Sequence, residues 1–110
     1  MEWEIAYHTE AVQQAIKGWP TGLRAVYTRI TDRMKAEGPN LGMPFTRSMG
    51  DGLFEVRVKG TEGTGRAFFC LIVGRKVLVL HAFVKKTDKT PLRELAVARS
   101  RLKEVRRANT

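Results

Sequence analysis

One cysteine, Cys70, stands in 110 residues, so no disulfide can form within the chain, and a reducing cytoplasm is the expected compartment. That thiol and the only two histidines, His8 and His81, give no zinc-type spacing. No carboxylate cluster suggests magnesium, and no phosphate-cradling glycine-lysine loop is present. No metal and no cofactor is therefore expected. Long hydrophobic runs are missing too: the longest, Val77 to Val84, is broken by His81 and falls short of the roughly 20 residues that span a bilayer. No signal-like segment opens the chain, repeats and low-complexity linkers are absent, and no membrane partner is expected.

What is present suits a folded globule. Apolar residues make up 43% of the chain and charged ones 28%, and the length allows one core but not two, so residues 1–110 are read as a single domain. The formal charge of +9 is unevenly spread. Residues 1–52 hold six acids and six bases, residues 53–84 two acids and five bases, and residues 85–110 three acids and nine bases. The positive field belongs to the C-terminal half, which favours a polyanion or an acidic protein as partner.

Three β-rich runs lie in that half: Leu53–Lys59, Gly65–Val73 and Lys76–Val84, punctuated by a glycine-rich stretch from Gly60 to Gly65 and by Gly74-Arg75. They predict a three-stranded antiparallel meander. A type II′ turn at Gly74-Arg75 pairs Val73 with Lys76, and hence Cys70 with Val79, Phe68 with His81 and Arg66 with Phe83. In the first hairpin, Lys59 is set opposite Arg66, Arg57 opposite Phe68 and Glu55 opposite Cys70. Alternation then puts Phe54, Val56, Val58, Ala67, Phe69, Leu71, Val73, Leu78, Leu80, Ala82 and Val84 on one apolar face. The other face carries Glu55, Arg57, Lys59, Arg66, Phe68, Cys70, Ile72, Val77, Val79, His81, Phe83 and Lys85.

Upstream, Trp3, Ile5 and Tyr7 alternate as in a short edge strand. Thr9 is placed to cap a helix carrying Val12, Ala15, Ile16 and Trp19, and Leu23, Val26, Tyr27, Ile30 and Met34 mark a second that Gly38-Pro39 stops. This αα-hairpin is the natural cover for the apolar sheet face. Residues 40–52, rich in glycine and proline, read as a loop. After the meander, Thr90-Pro91 starts a basic helix with a stripe of Leu92, Leu95, Ala98, Leu102 and Val105. The order β, α, α, β, β, β, α predicts an α+β fold of two layers: an antiparallel sheet of the N-terminal strand and the meander, covered by the αα-hairpin, with a C-terminal basic helix.

Cations set directly across a ladder cost a few tenths to about 1 kcal/mol per pair, so the cluster on the polar face suits a polyanion, and aromatics among the cations suit unstacked bases. An ordinary solvated face is the plain alternative. RNA can be cut without a metal when its 2′-hydroxyl attacks the adjacent phosphate in line; the site then moves two protons and stabilises phosphoryl charge. Arginine grips phosphate, and a lysine whose neighbours favour its neutral form can transfer a proton.

The runs Gly52 to Lys59, Gly65 to Phe69 and His81 to Pro91 resemble the phage-derived Gp49-like group of the RelE/HigB toxin superfamily over nearly the whole chain. The resemblance implies a RelE-like fold and the toxin of a type II toxin–antitoxin pair. It also implies a metal-independent endoribonuclease that cleaves mRNA on the ribosome, neutralised in a hetero-oligomer by a cognate antitoxin, commonly of helix-turn-helix type. It carries over Arg57, Lys59 and Arg66, with Lys85, Lys86 and Lys89 following. Arg66 is expected on the scissile phosphate, Arg57 as a second phosphate contact, Lys59 or Lys85 as the proton-transfer group, and Phe68 as a stacking platform. His81 is either a proton-transfer group or a satisfied, half-buried histidine. Some members of the superfamily place a Tyr or His near the catalytic centre at the C-terminal end, and nothing after His81 is Tyr or His here. Two other readings stay open: a non-catalytic basic RNA-binding or ribosome-associated module, and a diverged toxin fold kept as a protein-interaction partner.

Overall fold

A computed structural model describes residues 2–85 and 91–108. Strand β1 (Glu4–Tyr7) leads into helices α1 (Glu10–Lys17) and α2 (Thr21–Glu37). Strands β2 (Thr46–Gly50), β3 (Leu53–Gly60), β4 (Gly63–Ile72) and β5 (Lys76–Lys85) follow, then helix α3 (Leu92–Ala108). The five strands form one sheet in the order β1-β5-β4-β3-β2, with β1 parallel to β5 and the other pairs antiparallel. The α+β class, the position of the N-terminal strand at an edge, the meander and the αα-hairpin are as expected, but the expected antiparallel pairing of that strand is corrected: β1 lies parallel to β5, a strand it reaches through the helices and the meander and not through a hairpin. Lys86 and Lys89, and the Thr90 cap, lie outside the described residues.

The helix ends follow from local chemistry. Thr9 is extended, and its hydroxyl accepts a hydrogen bond from the Val12 amide at 3.4 Å, which caps α1. Gly38, at φ +100°, returns its N–H to the Met34 carbonyl at 2.8 Å, and Pro39 ends α2. Both helices lay Val12, Ile16, Trp19, Leu23, Tyr27, Ile30 and Met34 on Val56, Val58, Ala67, Phe69, Val77, Val79 and Ala82 of the sheet. Tyr27 shares a 3.0 Å hydrogen bond with Tyr7, and burial pushes its phenol far above the ordinary range. The Trp19 ring lies where a Cβ on Gly65 would stand, 2.6 Å away. Gly65→Ala should therefore lower stability by about 1–3 kcal/mol; urea unfolding checks this, and an unchanged midpoint would show that Trp19 yields.

Three expectations about strand extent and register are corrected. First, residues 46–50 are strand, not loop: β2 pairs with β3 through a two-residue turn in which Asp51 and Gly52 both have positive φ, +54° and +82°. Asp-Gly is a preferred pair for that turn type. Second, the β3–β4 turn is only Thr61-Glu62, so Arg57 faces Arg66 and Glu55 faces Phe68. The slip is two residues, and an even slip leaves every side chain on its face.

The third correction changes faces. Phe68 pairs with His81 and Arg66 with Phe83 as expected, but beyond Phe68 the register shifts: Phe69 meets Val79, Cys70 meets Leu78 and Ile72 meets Lys76. Leu80 is the extra residue of a β-bulge. Val77 and Val79 thus join the αα-hairpin core, while Leu78 and Leu80 turn to the opposite side. The turn at Gly74-Arg75 has positive φ at both residues, +89° and +58°, where type II′ requires it only at the first.

That opposite side is not open along its whole length. Helix α3 covers part of it, burying Ala98 and Leu102 against Leu53, Phe68, Cys70 and Leu80, and adds a third layer to the two expected. Burial raises the Cys70 thiol above its ordinary value, partly offset by Arg106. Of the expected helix stripe, Leu95, Ala98, Leu102 and Val105 pack inward, but Leu92 is 81% exposed. Three of the helix arginines act as fasteners: Arg99 donates to the Met49 carbonyl at 2.8 Å, Arg101 to Leu80 at 2.6 Å, and Arg106 to Asp51.

Candidate active site

Three rows cross β3, β4 and β5 from the margin of α3 outward: Glu55–Phe68–His81 at its edge, then Arg57–Arg66–Phe83 and Lys59–Thr64–Lys85. Two arginines face one another in the middle row, an unfavourable pair by itself. Glu55, two residues before Arg57 on the same face, offsets it. The Glu55 carboxylate is fully buried and accepts hydrogen bonds from Arg66 at 2.7 Å and from Arg47 of β2 at 2.8 Å, with the Arg57 Nε at 3.8 Å. One acid thus organises three guanidiniums, so that among the described residues of the cluster positive charges outnumber negative by two.

The three arginines are held differently. Arg66 is 2% exposed; burial pulls its guanidinium below the usual value, Glu55 pushes it back up, and Arg57 and Arg47 pull it down again. Arg57 and Arg47 keep 19% and 38% of their side-chain surface exposed. Among the described residues the buried Arg57 Nε has no hydrogen-bond partner. Among the three, Arg57 has the loosest hold on Glu55 and the most to gain from an incoming anion.

The expected site residues are brought together unevenly. Arg57, Arg66, Lys59 and Lys85 share the basic face, with Lys59 exposed and Lys85 almost fully buried. Phe68 lies wholly inside the α3 core, so its ring has no face to offer a base, and the expectation of a stacking platform there is corrected. Phe83, half-buried beside Arg66, is the aromatic the face presents instead. Arg47, earlier read as a loop residue, belongs to the cluster.

His81 sits between α3 and Phe83. Its ring stacks on Phe83 with centroids 5.8 Å apart and planes 28° from parallel. Arg101 approaches Nδ1 at 3.4 Å and Glu94 approaches Nε2 at 3.2 Å. A guanidinium only donates, so Nδ1 is the acceptor and Nε2 carries the hydrogen that Glu94 receives. Glu94 also borders a cleft of about 530 Å³ with Phe83, Val84, Lys85, Pro91 and Arg93. Among the described residues, no group of three or more His, Cys, Asp or Glu side chains is placed to hold a metal ion, and no helix is long and apolar enough to cross a membrane.

No curated protein matches the sequence significantly. Among solved structures, the fold is similar to a chain in the crystal structure of the archaeal RelE-RelB complex from Pyrococcus horikoshii OT3. The TM-score is 0.55 and the identity 15%, over 76% of this chain and 96% of that one. That likeness agrees with the RelE-like architecture expected from the sequence. Residues 14–103 match the family model described as phage-derived protein Gp49-like, which spans most of the chain and nearly all of the elements that build the basic cleft, and the chain therefore belongs to the Gp49-like family.

Proposed function

We propose that the chain is the toxin of a type II toxin–antitoxin system, a metal-independent endoribonuclease that cleaves mRNA on the translating ribosome in the cytoplasm. A cognate antitoxin, commonly of helix-turn-helix type in this group, neutralises it in a hetero-oligomer. The observation that carries the reading is the arginine cluster: three guanidiniums gathered on one buried carboxylate, with lysines in the neighbouring row. Solvation alone does not require a buried arginine–glutamate pair, whereas charge developing on a phosphate does call for fixed cations. Family membership and the RelE-like fold agree with it.

In this reading Arg57 and Arg66 stabilise the phosphoryl oxygens, Arg66 from within the cluster and Arg57 by direct contact. The 2′-oxygen attacks phosphorus, the 5′-oxygen departs with a proton, and the products are a cyclic 2′,3′-phosphate and a free 5′-hydroxyl. Lys85 or Lys59 transfers the protons, and Lys86 and Lys89 extend the contact with the RNA backbone.

The purified protein should break mRNA within the open reading frame in a reconstituted translation mixture, and the breaks should vanish when ribosomes are omitted. Primer extension reads both. Intact mRNA from a protein that still binds RNA would replace the enzyme with a non-catalytic RNA-binding module.

A further inference from the structure

The cleft beside the arginine cluster has a composition that phosphate binding does not explain. Phosphate calls for cations, yet the cleft borders include an aromatic ring, Phe83, and a carboxylate, Glu94. Neither is incidental. Phe83 is braced by Phe68 and by His81, each with ring centroids 5.8 Å away. Glu94 is 25% exposed and spends one oxygen, Oε1, on His81; among the described residues Oε2 has no partner. A flat ring fixed in place next to an acceptor-only group is the pattern by which proteins take up an unstacked base and read its edge.

We infer that Phe83 and Glu94 form a nucleobase subsite that selects a base bearing an amino group and discriminates against uracil. The substrate class rests on the endoribonuclease reading. A base stacked on Phe83 would turn its Watson–Crick edge to Glu94. Adenine and cytosine each present an exocyclic amine to a carboxylate, and guanine presents two adjacent N–H groups. Uracil presents one N–H flanked by two carbonyl oxygens, whose lone pairs oppose an approaching carboxylate. His81 is a positioning residue here: with its tautomer set by Arg101, it donates to Glu94 and supports Phe83. This gives an accounting for the histidine without a proton-transfer role.

The experiment is fluorescence anisotropy of labelled eight-nucleotide RNAs made of adenine, cytosine or uracil, with the full chain and its Glu94→Gln variant, alongside cleavage mapping on mRNA. Glutamine keeps an oxygen to accept from His81 but adds a donor, so a purely structural role would survive the change. The wild type should bind the adenine and cytosine RNAs at least about fivefold more tightly than the uracil RNA, the scale of a single net hydrogen bond. Glu94→Gln should erase that ratio, and Phe83→Ala should weaken all three RNAs. Equal binding of the three RNAs by the wild type, or a ratio unchanged in Glu94→Gln, overturns the subsite. Because the binding arm needs no cleavage, intact mRNA together with selective binding would overturn the enzyme reading and leave the subsite standing.

Discussion

Glu55→Ala should lose about 3–5 kcal/mol of stability, the range for breaking a buried ion pair from one side. The carboxylate has no exposed surface, and its closest partner, Arg66, has 2%. Removing Glu55 takes away the 2.7 Å partner of Arg66 and leaves its charge facing Arg57 across the ladder and Arg47 on the far side. A typical domain is stable by only about 5–15 kcal/mol, so the variant should unfold at markedly lower urea. Arg66→Ala alone should be damaging too, because it strips the buried carboxylate of its 2.7 Å partner. The double variant should be less destabilised than the sum of the two single ones, since each single variant already loses the Arg66–Glu55 bond and the double variant loses it only once. Urea unfolding of all four proteins measures the coupling. A loss below about 1 kcal/mol for Glu55→Ala would mean that the carboxylate does not hold the cluster together.

The same pair shows how far the sequence could be read. Glu55, Arg57 and Arg66 were legible as neighbours on one face, because the period-2 alternation survives a register error of two residues. Their mutual arrangement was not: the glycine-rich stretch predicts Arg57 opposite Phe68, and only the short Thr61-Glu62 turn puts it across from Arg66. The bulge at Leu80 left no periodic trace, since Lys76 to Val84 is apolar at nearly every position and either face assignment fits. Strand β2 did leave a signal. Asp51-Gly52 is a hairpin dipeptide, but the glycines and Pro44 around it read as loop, and Arg47 falls within that stretch. The burial of Phe68 depends on where α3 lands, and that is a matter of packing between distant segments. The apolar stripe of α3 announced that the helix would dock, but not which strands it would cover.

Because Arg66 is needed by the fold, the clean probe of the chemistry is Arg57. Arg57→Ala should reduce mRNA cleavage by roughly 10²–10³, the usual loss when one fixed group that stabilises transition-state charge is removed. Its effect on stability should be under about 1 kcal/mol: the side chain is partly exposed, its contact with Glu55 is 3.8 Å, and its removal relieves the repulsion with Arg66. Activity and folding therefore separate at this position, as they do not at Arg66. The proton-transfer group separates in a different way. Lys85→Arg keeps the positive charge at the almost fully buried end of the basic row, but a guanidinium does not give up its proton in a protein. If Lys85 moves the proton, Lys85→Arg should lose cleavage by about 10²-fold or more while still binding RNA, and Lys59→Arg should keep it. The reverse pattern would assign the role to Lys59. If Arg57→Ala and Lys85→Arg both cut at the wild-type rate, the basic face would be a contact surface and the chemistry would have to lie elsewhere on the chain.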